Sequence, residues 1–211
     1  MATETAVLSP AQYLKEERSR EGKFEYENGK LVLMGGASKE HNRITGNIFG
    51  FLWMFIRQQA TDFAVYQADL RVYTPETEKY YYPDIVFTKG KEQYLDKEFD
   101  TLLNPLILIE VLSDQTEARD RGIKFEAYRS IDSLQEYLLV SQKDYIVEGF
   151  FKNEDGEWVI QDPVHGLDGV YQFKSIDVTL DLKDIYQNVT LKSWYWYFAL
   201  KYSISPFSPR R

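Results

Sequence analysis

A single glutamate interrupts the most apolar stretch of this chain. The segment NPLILIEVLSDQTEARDRGIKFEAYRSI, residues 104–131, opens as an ordinary buried strand, except that Glu110 stands where an aliphatic residue is expected. Alternate side chains of a strand share one face, so Glu110 lies in a row with the leucines at positions 106, 108 and 112. Burying an ionised carboxylate without a partner is costly. The sequence therefore predicts that a cationic side chain, a metal ion or water in a cleft meets Glu110.

The size and composition of the chain favour one folded unit. Its 211 residues are 44% hydrophobic and 16% aromatic, which is enough to fill a sizeable core. We predict a single domain over residues 1–190 and an aromatic extension of unknown role over residues 191–211, which contains the segment SWYWYFALKYSISPF.

Several functional classes are disfavoured by what the chain lacks. It has no cysteine, no apolar run of membrane-spanning length and no signal peptide in its opening residues, so the expected location is cytoplasmic, with no membrane partner. With only His41 and His165, a zinc site built from several histidines is not expected. The formal charge of −8 argues against broad adhesion to DNA, leaves room for a local basic groove, and suits carboxylates that bind a divalent cation.

The first sixty residues contain clear local signals. A short helix is predicted from Ser9, as N-cap, and Pro10 at the first helical position. The segment KFEYENGKLVLM predicts a β-hairpin that turns at Asn28-Gly29. A long helix follows Ser38, and its apolar stripe at 44, 48, 52 and 55 is continued backwards by His41.

The rest of the chain alternates strands with one further helix. Strands are predicted at AVYQADLRVY, YYYPDIVF, LILIEVL, SLQEYLLV, DYIVEGFFKN and GVYQFKSIDVTL, with a hairpin at NEDGEWVI and a helix over SDQTEARDRGIKFEAYRSI. This order predicts an α+β, or mixed α/β, fold in which one central mixed sheet is flanked by helices, preceded by the N-terminal helix and hairpin.

Two further residues join Glu110 as candidates for chemistry. Asp84 follows Pro83, which cannot donate to a strand ladder and so marks an edge or a bend. Lys124 lies on the helix that comes after Glu110. Asp84 and Glu110 would bind a divalent ion through oxygen, as Mg²⁺ prefers, and leave water positions open. Lys124 would orient or deprotonate an attacking water, or stabilise a phosphate oxygen.

The ordered motifs PD, EVLS and DRGIKFEAY resemble those of the PD-(D/E)XK nuclease superfamily. More closely, the chain resembles the Uma family of restriction-endonuclease-like proteins, over roughly residues 8–150 and more weakly to about residue 187. The resemblance implies a restriction-endonuclease-like core, Mg²⁺ with Mn²⁺ as its substitute, DNA as the substrate, and hydrolysis of phosphodiester bonds.

One departure from the superfamily pattern concerns the lysine. The third motif normally reads Glu-x-Lys, but Leu112 stands two positions after Glu110. In the Uma-type pattern the lysine has moved to the following helix, where Lys124 matches it. The same pattern places an acidic residue in the hairpin, matched by Glu25, and a histidine at the start of the next helix, matched by His41. The resemblance thus implies catalytic roles for Glu25, His41, Asp84, Glu110 and Lys124. Of these, Asp84 and Glu110 are the metal ligands.

Each of these residues also has an ordinary structural interpretation. Glu110 would then belong to an ion pair with Arg119 or Arg121. Lys124 would be a solvated charge on a helix, and Asp84 a turn residue after a proline. Only the combination of the residues favours a site.

The remaining candidates are equally open when taken alone. Glu25 is by default an exposed hairpin carboxylate, and His41 a satisfied polar residue under the edge of the core. The basic segment RDRGIKFEAYR is the best candidate for a phosphate-facing patch. Alternatively it is an exposed helix face, in which Glu117 and Arg121 pair four residues apart.

The sequence therefore supports three hypotheses. The first is a Mg²⁺-dependent endodeoxyribonuclease in which Lys124 positions the nucleophilic water and His41 supports a ligand or transfers a proton. The second is a catalytically inactive binding or interaction module with the same fold, a homodimer formed through the aromatic tail. The third is a hydrolase of some other phosphate ester.

Overall fold

The computed structural model describes residues 7–59 and 62–191. The helices are α1 (Pro10–Glu17), α2 (Lys39–Gln58), α3 (Glu117–Arg119), α4 (Phe125–Tyr128) and α5 (Leu182–Ile185), and a π-helical turn, Asp120–Lys124, joins α3 to α4. The strands are β1 (Phe24–Glu27), β2 (Lys30–Leu33), β3 (Phe63–Gln67), β4 (Arg71–Thr74), β5 (Lys79–Tyr81), β6 (Ile85–Lys89), β7 (Thr101–Leu102), β8 (Ile107–Leu112), β9 (Glu136–Ser141), β10 (Ile146–Lys152), β11 (Trp158–His165), β12 (Val170–Gln172) and β13 (Thr179–Asp181). Among the described helices none is long and apolar enough to cross a membrane.

The strands form two larger sheets and one small one. The six-stranded sheet has the order β11-β10-β9-β8-β6-β3 and is mixed, because only β8 and β9 run parallel within it. The five-stranded sheet has the order β2-β1-β5-β4-β7, and β12 pairs with β13 as a separate hairpin. The predicted α+β class, with a mixed sheet, an N-terminal helix and a hairpin, is confirmed.

The local signals of the N-terminal segment act as predicted. Ser9 and Gln12 form a reciprocal capping box at the start of α1, and Pro10 occupies the first turn. Asn28 and Gly29 both have positive φ, 50° and 83°, which is the geometry of a two-residue hairpin turn with right-handed twist. Tyr13 of α1 stacks on Tyr26 of β1, so the helix and the hairpin bury each other's aromatic rings.

The long helix α2 covers one face of the six-stranded sheet. The Ser38 side chain accepts a hydrogen bond from the backbone N–H of His41 and so caps the helix. Ile44, Ile48 and Leu52 are buried against the sheet, as their spacing predicts. Asn47 also binds the end of α5 through two backbone carbonyls, Ile185 and Gln187.

Strand β8 separates two hydrophobic cores. Its odd-numbered residues face the core beneath α2, whereas Leu108 and Leu112 face a second core that contains Ala127 and Tyr128 of α4. Glu110 alternates with these two leucines and therefore points into the second core. Leu106 precedes the strand and packs on the other side, so the predicted row of leucines is shorter by one.

Two predicted strands are wrong in the same way. Residues 64–73 do not form one strand but divide into β3 and β4, which belong to different sheets. Residues 80–87 divide likewise into β5 and β6. The breaks occur where Ala68 adopts a φ of 62° and where Pro83 offers no N–H. The prediction of one central sheet is therefore corrected, because at each of these two breaks the chain passes from one sheet to the other.

The aromatic extension predicted for residues 191–211 lies outside the described residues except for Leu191. The division at residue 190 and dimerisation through the tail therefore stay predictions.

The hairpin turn gives a first stability prediction. At Gly29 an added Cβ would lie 2.1 Å from Cγ1 of Val7 and would force a side chain into positive φ, so Gly29→Ala should lower the free energy of unfolding by about 1–2 kcal/mol. At Gly46, in α2, nothing lies within 4 Å of an added Cβ, so Gly46→Ala should raise it by about 0.5–1 kcal/mol. Urea denaturation measures both; equal effects of the two substitutions would contradict the assigned turn.

Candidate active site

The candidate site lies where the chain passes from one sheet to the other. Asp84 occupies the bend between β5 and β6, directly after Pro83. Because Ile85 of β6 pairs with Ile109 of β8, the next residue of β8, Glu110, comes beside Asp84. The Asp84 backbone N–H donates to Glu110 Oε2 over 3.3 Å. Two residues far apart in sequence are thus brought together by an antiparallel register.

Glu110 is 3% exposed, and both of its carboxylate oxygens accept hydrogen bonds. Oε1 accepts from Lys124 Nζ and from the Tyr128 hydroxyl, both at 3.1 Å. The cation predicted to meet Glu110 is therefore Lys124, and the alternative partners Arg119 and Arg121 bind elsewhere.

Lys124 is the cation at the centre of the cluster. Its side chain is buried, and Nζ lies 3.0 Å from Glu25 Oε1, 3.1 Å from Glu110 Oε1 and 3.2 Å from Asp120 Oδ1. The ammonium also lies 5.7 Å from the centre of the Tyr81 ring. The interpretation of Lys124 as a solvated helix charge is wrong.

The π-helical turn directs both Asp120 and Lys124 inwards. The predicted helix ends its first α-helical turn at Arg119, continues as a π-helix to Lys124, and returns to α-helix at Phe125. Gly122, a poor helix former, lies within this turn, and the Tyr137 hydroxyl of β9 holds the Asp120 carbonyl at 3.0 Å. Asp120 and Lys124 are 1% and 4% exposed. Such π-helical turns are often found at functional sites.

Glu25 reaches the same cluster from the hairpin. It is 2% exposed, so its interpretation as an exposed hairpin carboxylate is wrong. Its Oε2 lies 2.9 Å from Arg119, which also contacts Glu27. Arg119 therefore fixes the hairpin to the helix that carries Lys124.

His41 lies at the more open side of the cluster. Its Nε2 is 3.0 Å from Asp84 Oδ2, and that oxygen also accepts from the Val111 backbone N–H at 2.7 Å. Asp84 Oδ1 accepts no hydrogen bond from any described residue. The Asp84 side chain is 18% exposed, which makes it the most open of the acidic groups that surround Lys124 and His41.

The cluster contains more acid than base. Five carboxylates, with two permanent cations between them, lie within one connected set of contacts: Glu25, Glu27, Asp84, Glu110 and Asp120, with Lys124 and Arg119. Burial, and then the neighbouring carboxylates, raise the pKa of Glu110 well above its usual range. Burial also raises the pKa of Asp120. Burial alone would lower the pKa of Lys124, but Glu110, Glu25 and Asp120 together raise it, so the amine stays charged.

The sequence predicted five residues of this cluster but not three of the contacts that hold them, which are made by Asp120, Tyr128 and Arg119. Asp120 lies one helical turn before Lys124, and Tyr128 lies one turn after it. Spacing on the helix could have indicated both, since residues four apart share a face. That Arg119 pairs with Glu25 depends on the hairpin's position, which no local pattern encodes.

The predicted phosphate-facing patch on RDRGIKFEAYR is wrong. Arg119 is paired with two glutamates, and Arg121 with Glu117 and Glu148. Lys124 is buried. The expected Glu117–Arg121 pair is confirmed, and three of the four basic residues of this segment are paired within the protein, whereas Arg129 is exposed and lies over the Phe125 ring.

Asp84 and Glu110 match the donor set for a magnesium-like ion. Within the described ranges, no three acidic or histidine side chains form a ready-made metal site. Mg²⁺ does not require one, because it is commonly held by one or two carboxylates and keeps several waters. The uncommitted Oδ1 of Asp84, beside Glu110 in an acid-rich cluster, fits such an ion.

Comparison with solved structures identifies a protein of similar fold. In fold, the chain is similar to the crystal structure of a "putative nuclease belonging to DUF820" from Anabaena variabilis, with a TM-score of 0.69, 17% identity, and coverage of 87% of this chain and 99% of that one. The two chains therefore share a fold.

Sequence comparison gives the family. Residues 10–182 match the Uma2 family model, described as "Putative restriction endonuclease". Two uncharacterized proteins of Synechocystis sp. are 34% identical: sll1609 over 74% of this chain and 87% of its own length, and slr1290 over 86% and 93%. The chain belongs to the Uma2 family.

The charge imbalance predicts opposite effects of two substitutions. Lys124→Met leaves the buried carboxylates of Glu110 and Asp120 without a cation, whereas Glu25 keeps Arg119, and the substitution should lower the free energy of unfolding by about 3–5 kcal/mol. Asp120→Asn removes excess negative charge and should leave the protein at least as stable as the wild type. Lys143→Met removes an exposed, paired lysine and should cost no more than about 1 kcal/mol. Urea denaturation tests all three; a destabilising Asp120→Asn would refute the excess of acid.

The raised carboxyl pKa values predict a pH dependence. A carboxyl whose pKa is higher in the folded than in the unfolded protein binds a proton in the folded state first, so folding becomes more favourable as the pH falls through the folded pKa. Asp120→Asn removes one such group. Its stability advantage over the wild type should be largest at pH values above the raised folded pKa of Asp120 and should shrink as the pH falls through that pKa towards about 3.9, the usual aspartate value. A stability difference that does not change as the pH is lowered would contradict the raised pKa of Asp120.

Proposed function

We propose that this protein is a divalent-metal-dependent endonuclease that hydrolyses DNA phosphodiester bonds. The observation that carries the proposal is the convergence of Asp84, Glu110 and Lys124: the first two are joined by a 3.3 Å hydrogen bond, and the lysine lies 3.1 Å from Glu110. Membership of the Uma2 family supports the same reaction class.

Asp84 and Glu110 would hold Mg²⁺, with Mn²⁺ as a substitute. The ion would supply Lewis acidity towards a phosphate oxygen and a more acidic bound water. Asp84 contributes its open oxygen, Oδ1, because Oδ2 is already engaged by His41 and Val111. Glu110 contributes from the buried side, where its Oε1 is fixed by Lys124 and Tyr128.

Lys124 acts as a fixed positive charge. Three carboxylates keep it protonated, so it does not accept a proton from water in this arrangement. Its contribution is to hold the Glu110 carboxylate in place and to stabilise negative charge next to it. Three roles were expected for Lys124. A charged lysine can orient the attacking water and stabilise a phosphate oxygen, but it is not suited to deprotonating that water.

His41 and Glu25 position the central groups. A neutral imidazole that donates from Nε2 to Asp84 fixes that carboxylate and leaves Nδ1 as an acceptor. Nδ1 is buried and has no hydrogen-bond partner among the described residues, so a role in proton transfer is chemically available to His41. Glu25 holds Lys124 and Arg119 at once and thereby sets the lysine's position.

A catalytically inactive binding module is the second candidate. The burial of Glu110 and Lys124, 3% and 4% exposed, favours it, because a catalytic centre of this kind must admit a phosphate and water. A hydrolase of another phosphate ester would use the same residues and differs only in its substrate.

Metal binding and DNA cleavage separate these candidates. Wild-type protein should bind Mn²⁺ by calorimetry and should nick supercoiled DNA with Mg²⁺ or Mn²⁺. Asp84→Asn should show no heat of Mn²⁺ binding and should nick DNA at least about 100-fold more slowly than the wild type. The substitution removes an ion ligand that contributes several kcal/mol of charge stabilisation.

The matched control is Asp162→Asn, an exposed aspartate on β11. It should retain both properties, and both variants should melt like the wild type. Nicking by Asp84→Asn at the wild-type rate would contradict the proposal. Metal binding without cleavage of any DNA would favour the inactive module or another phosphate ester.

A further inference from the structure

The C-terminal half of α2 presents apolar side chains on its outward side as well as on its buried side. The segment IFGFLWMFI, residues 48–56, contains no polar residue, although a helix that covers one face of a sheet buries only one stripe. Leu52 is fully buried, whereas Trp53 and Met54 are 50% and 57% exposed. Three neighbouring residues make up the outward stripe of this segment, which we call the α2 apolar patch: Gly50, Trp53 and Met54.

The described residues leave this patch uncovered. At Gly50 no described residue lies within 4 Å of an added Cβ, so the backbone of the helix is open to close approach there. Glycine is unfavourable inside a helix, and packing among the described residues does not require it. Single exposed apolar side chains are ordinary, but Trp53 and Met54 are adjacent and flank the open backbone at Gly50.

The C-terminal end of the described chain lies against the same helix. Asn47 donates hydrogen bonds of 2.8 and 3.0 Å to two backbone carbonyls at and just beyond the end of α5. Asn47 precedes Met54 by seven residues, which is about two helical turns, so both lie on one side of α2. Leu191, the last described residue, packs against the core that α2 covers. The chain beyond Leu191 therefore starts next to this helix.

The segment that follows is apolar and basic. Residues 192–211, KSWYWYFALKYSISPFSPRR, lie outside the described residues and are called the C-terminal tail below. Residues 194–200, WYWYFAL, carry no charge. Four of the 25 Lys and Arg but none of the 33 Asp and Glu lie in the tail, so residues 1–191 have a formal charge of −12. The tail is thus attracted to the rest of the chain, whereas two copies of residues 1–191 repel each other.

The length of the tail suffices to cover the patch from where it starts. Its twenty residues span up to about 66 Å when extended, whereas α2, which also has 20 residues, is about 30 Å long. A segment tethered beside its binding surface has an effective concentration of about 1 mM. At micromolar protein concentrations, the chain's own tail is therefore favoured over a second copy.

We propose that the aromatic segment of the C-terminal tail docks on the α2 apolar patch of its own chain. Aromatic rings pack well against tryptophan and against the methionine sulfur, and Gly50 allows them to approach the helix backbone. The inference does not depend on the nuclease proposal. It gives the tail a role within the fold, which is to cover the outward side of the helix that carries His41.

Cysteine cross-linking in the full chain tests the contact, because the natural chain contains no cysteine. Met54→Cys is combined in turn with Ser193→Cys, Ala199→Cys and Ser203→Cys, and each double variant is oxidised at about 1 μM, where contacts within one chain prevail. At least one pair should form a disulfide within a single chain, detected by electrophoresis without reductant and by mass spectrometry. Glu154→Cys, in the exposed turn between β10 and β11, replaces Met54→Cys in the matched controls and should link at least about tenfold more slowly.

Limited proteolysis with chymotrypsin, which cleaves after aromatic residues, gives an independent readout. Trp53→Gln/Met54→Gln removes the apolar surface but keeps good helix formers. It should raise the rate of cleavage within the tail about tenfold, because cleavage follows the population of the undocked tail. The control Ile160→Thr/Val170→Thr removes exposed apolar side chains from β11 and β12 and should be cleaved like the wild type. Both variants should keep the wild-type circular dichroism.

The two measurements separate the possible occupants of the patch. Disulfides that join two chains would show that a second copy occupies it, and the inference would be wrong. Binding of wild-type protein to phosphatidylcholine vesicles, lost in Trp53→Gln/Met54→Gln, would show that a lipid surface occupies it instead. Links no faster than in the controls, with equal tail cleavage in the wild type and the patch variant, would overturn docking altogether. None of these outcomes changes the expected metal-dependent cleavage of DNA.

Discussion

The ammonium group of Lys124 is enclosed by carboxylates that come from three separate parts of the fold. Glu25 arrives from the N-terminal hairpin, Glu110 from the central strand of the larger sheet, and Asp120 from the π-helical turn. A buried charge requires partners of this kind, and breaking such a set is costly. The relative placement of the hairpin, β8 and the helix after it therefore depends on this lysine together with Arg119, which pairs with Glu25 and Glu27 of the hairpin.

The acidity of the cluster determines what it can bind. Around Lys124 acid exceeds base, which suits a divalent cation and disfavours direct contact with phosphate. An ion held by Asp84 would offset the repulsion between these carboxylates and a phosphate group. His41, near the start of α2, lies 3.0 Å from the Asp84 carboxylate.

Sequence could predict those parts of the structure that depend on neighbouring residues. Asn28-Gly29 specifies its turn, Ser38 caps α2, and a carboxylate in an apolar strand requires a partner. Three features depend instead on tertiary placement: the breaks at Ala68 and Pro83, the burial of Glu25, and the choice of Lys124 over two arginines. A lysine and an arginine on one helix look alike until the helix is placed against the sheet.

The central claim is that Asp84 and Glu110 converge on one ion beside a charged Lys124. Anomalous diffraction from crystals soaked in Mn²⁺ tests it directly. The account predicts one strong peak about 2.0–2.3 Å from an oxygen of each carboxylate, with Lys124 Nζ still on the far side of Glu110. An absent peak, or one bound to neither carboxylate, would contradict the account.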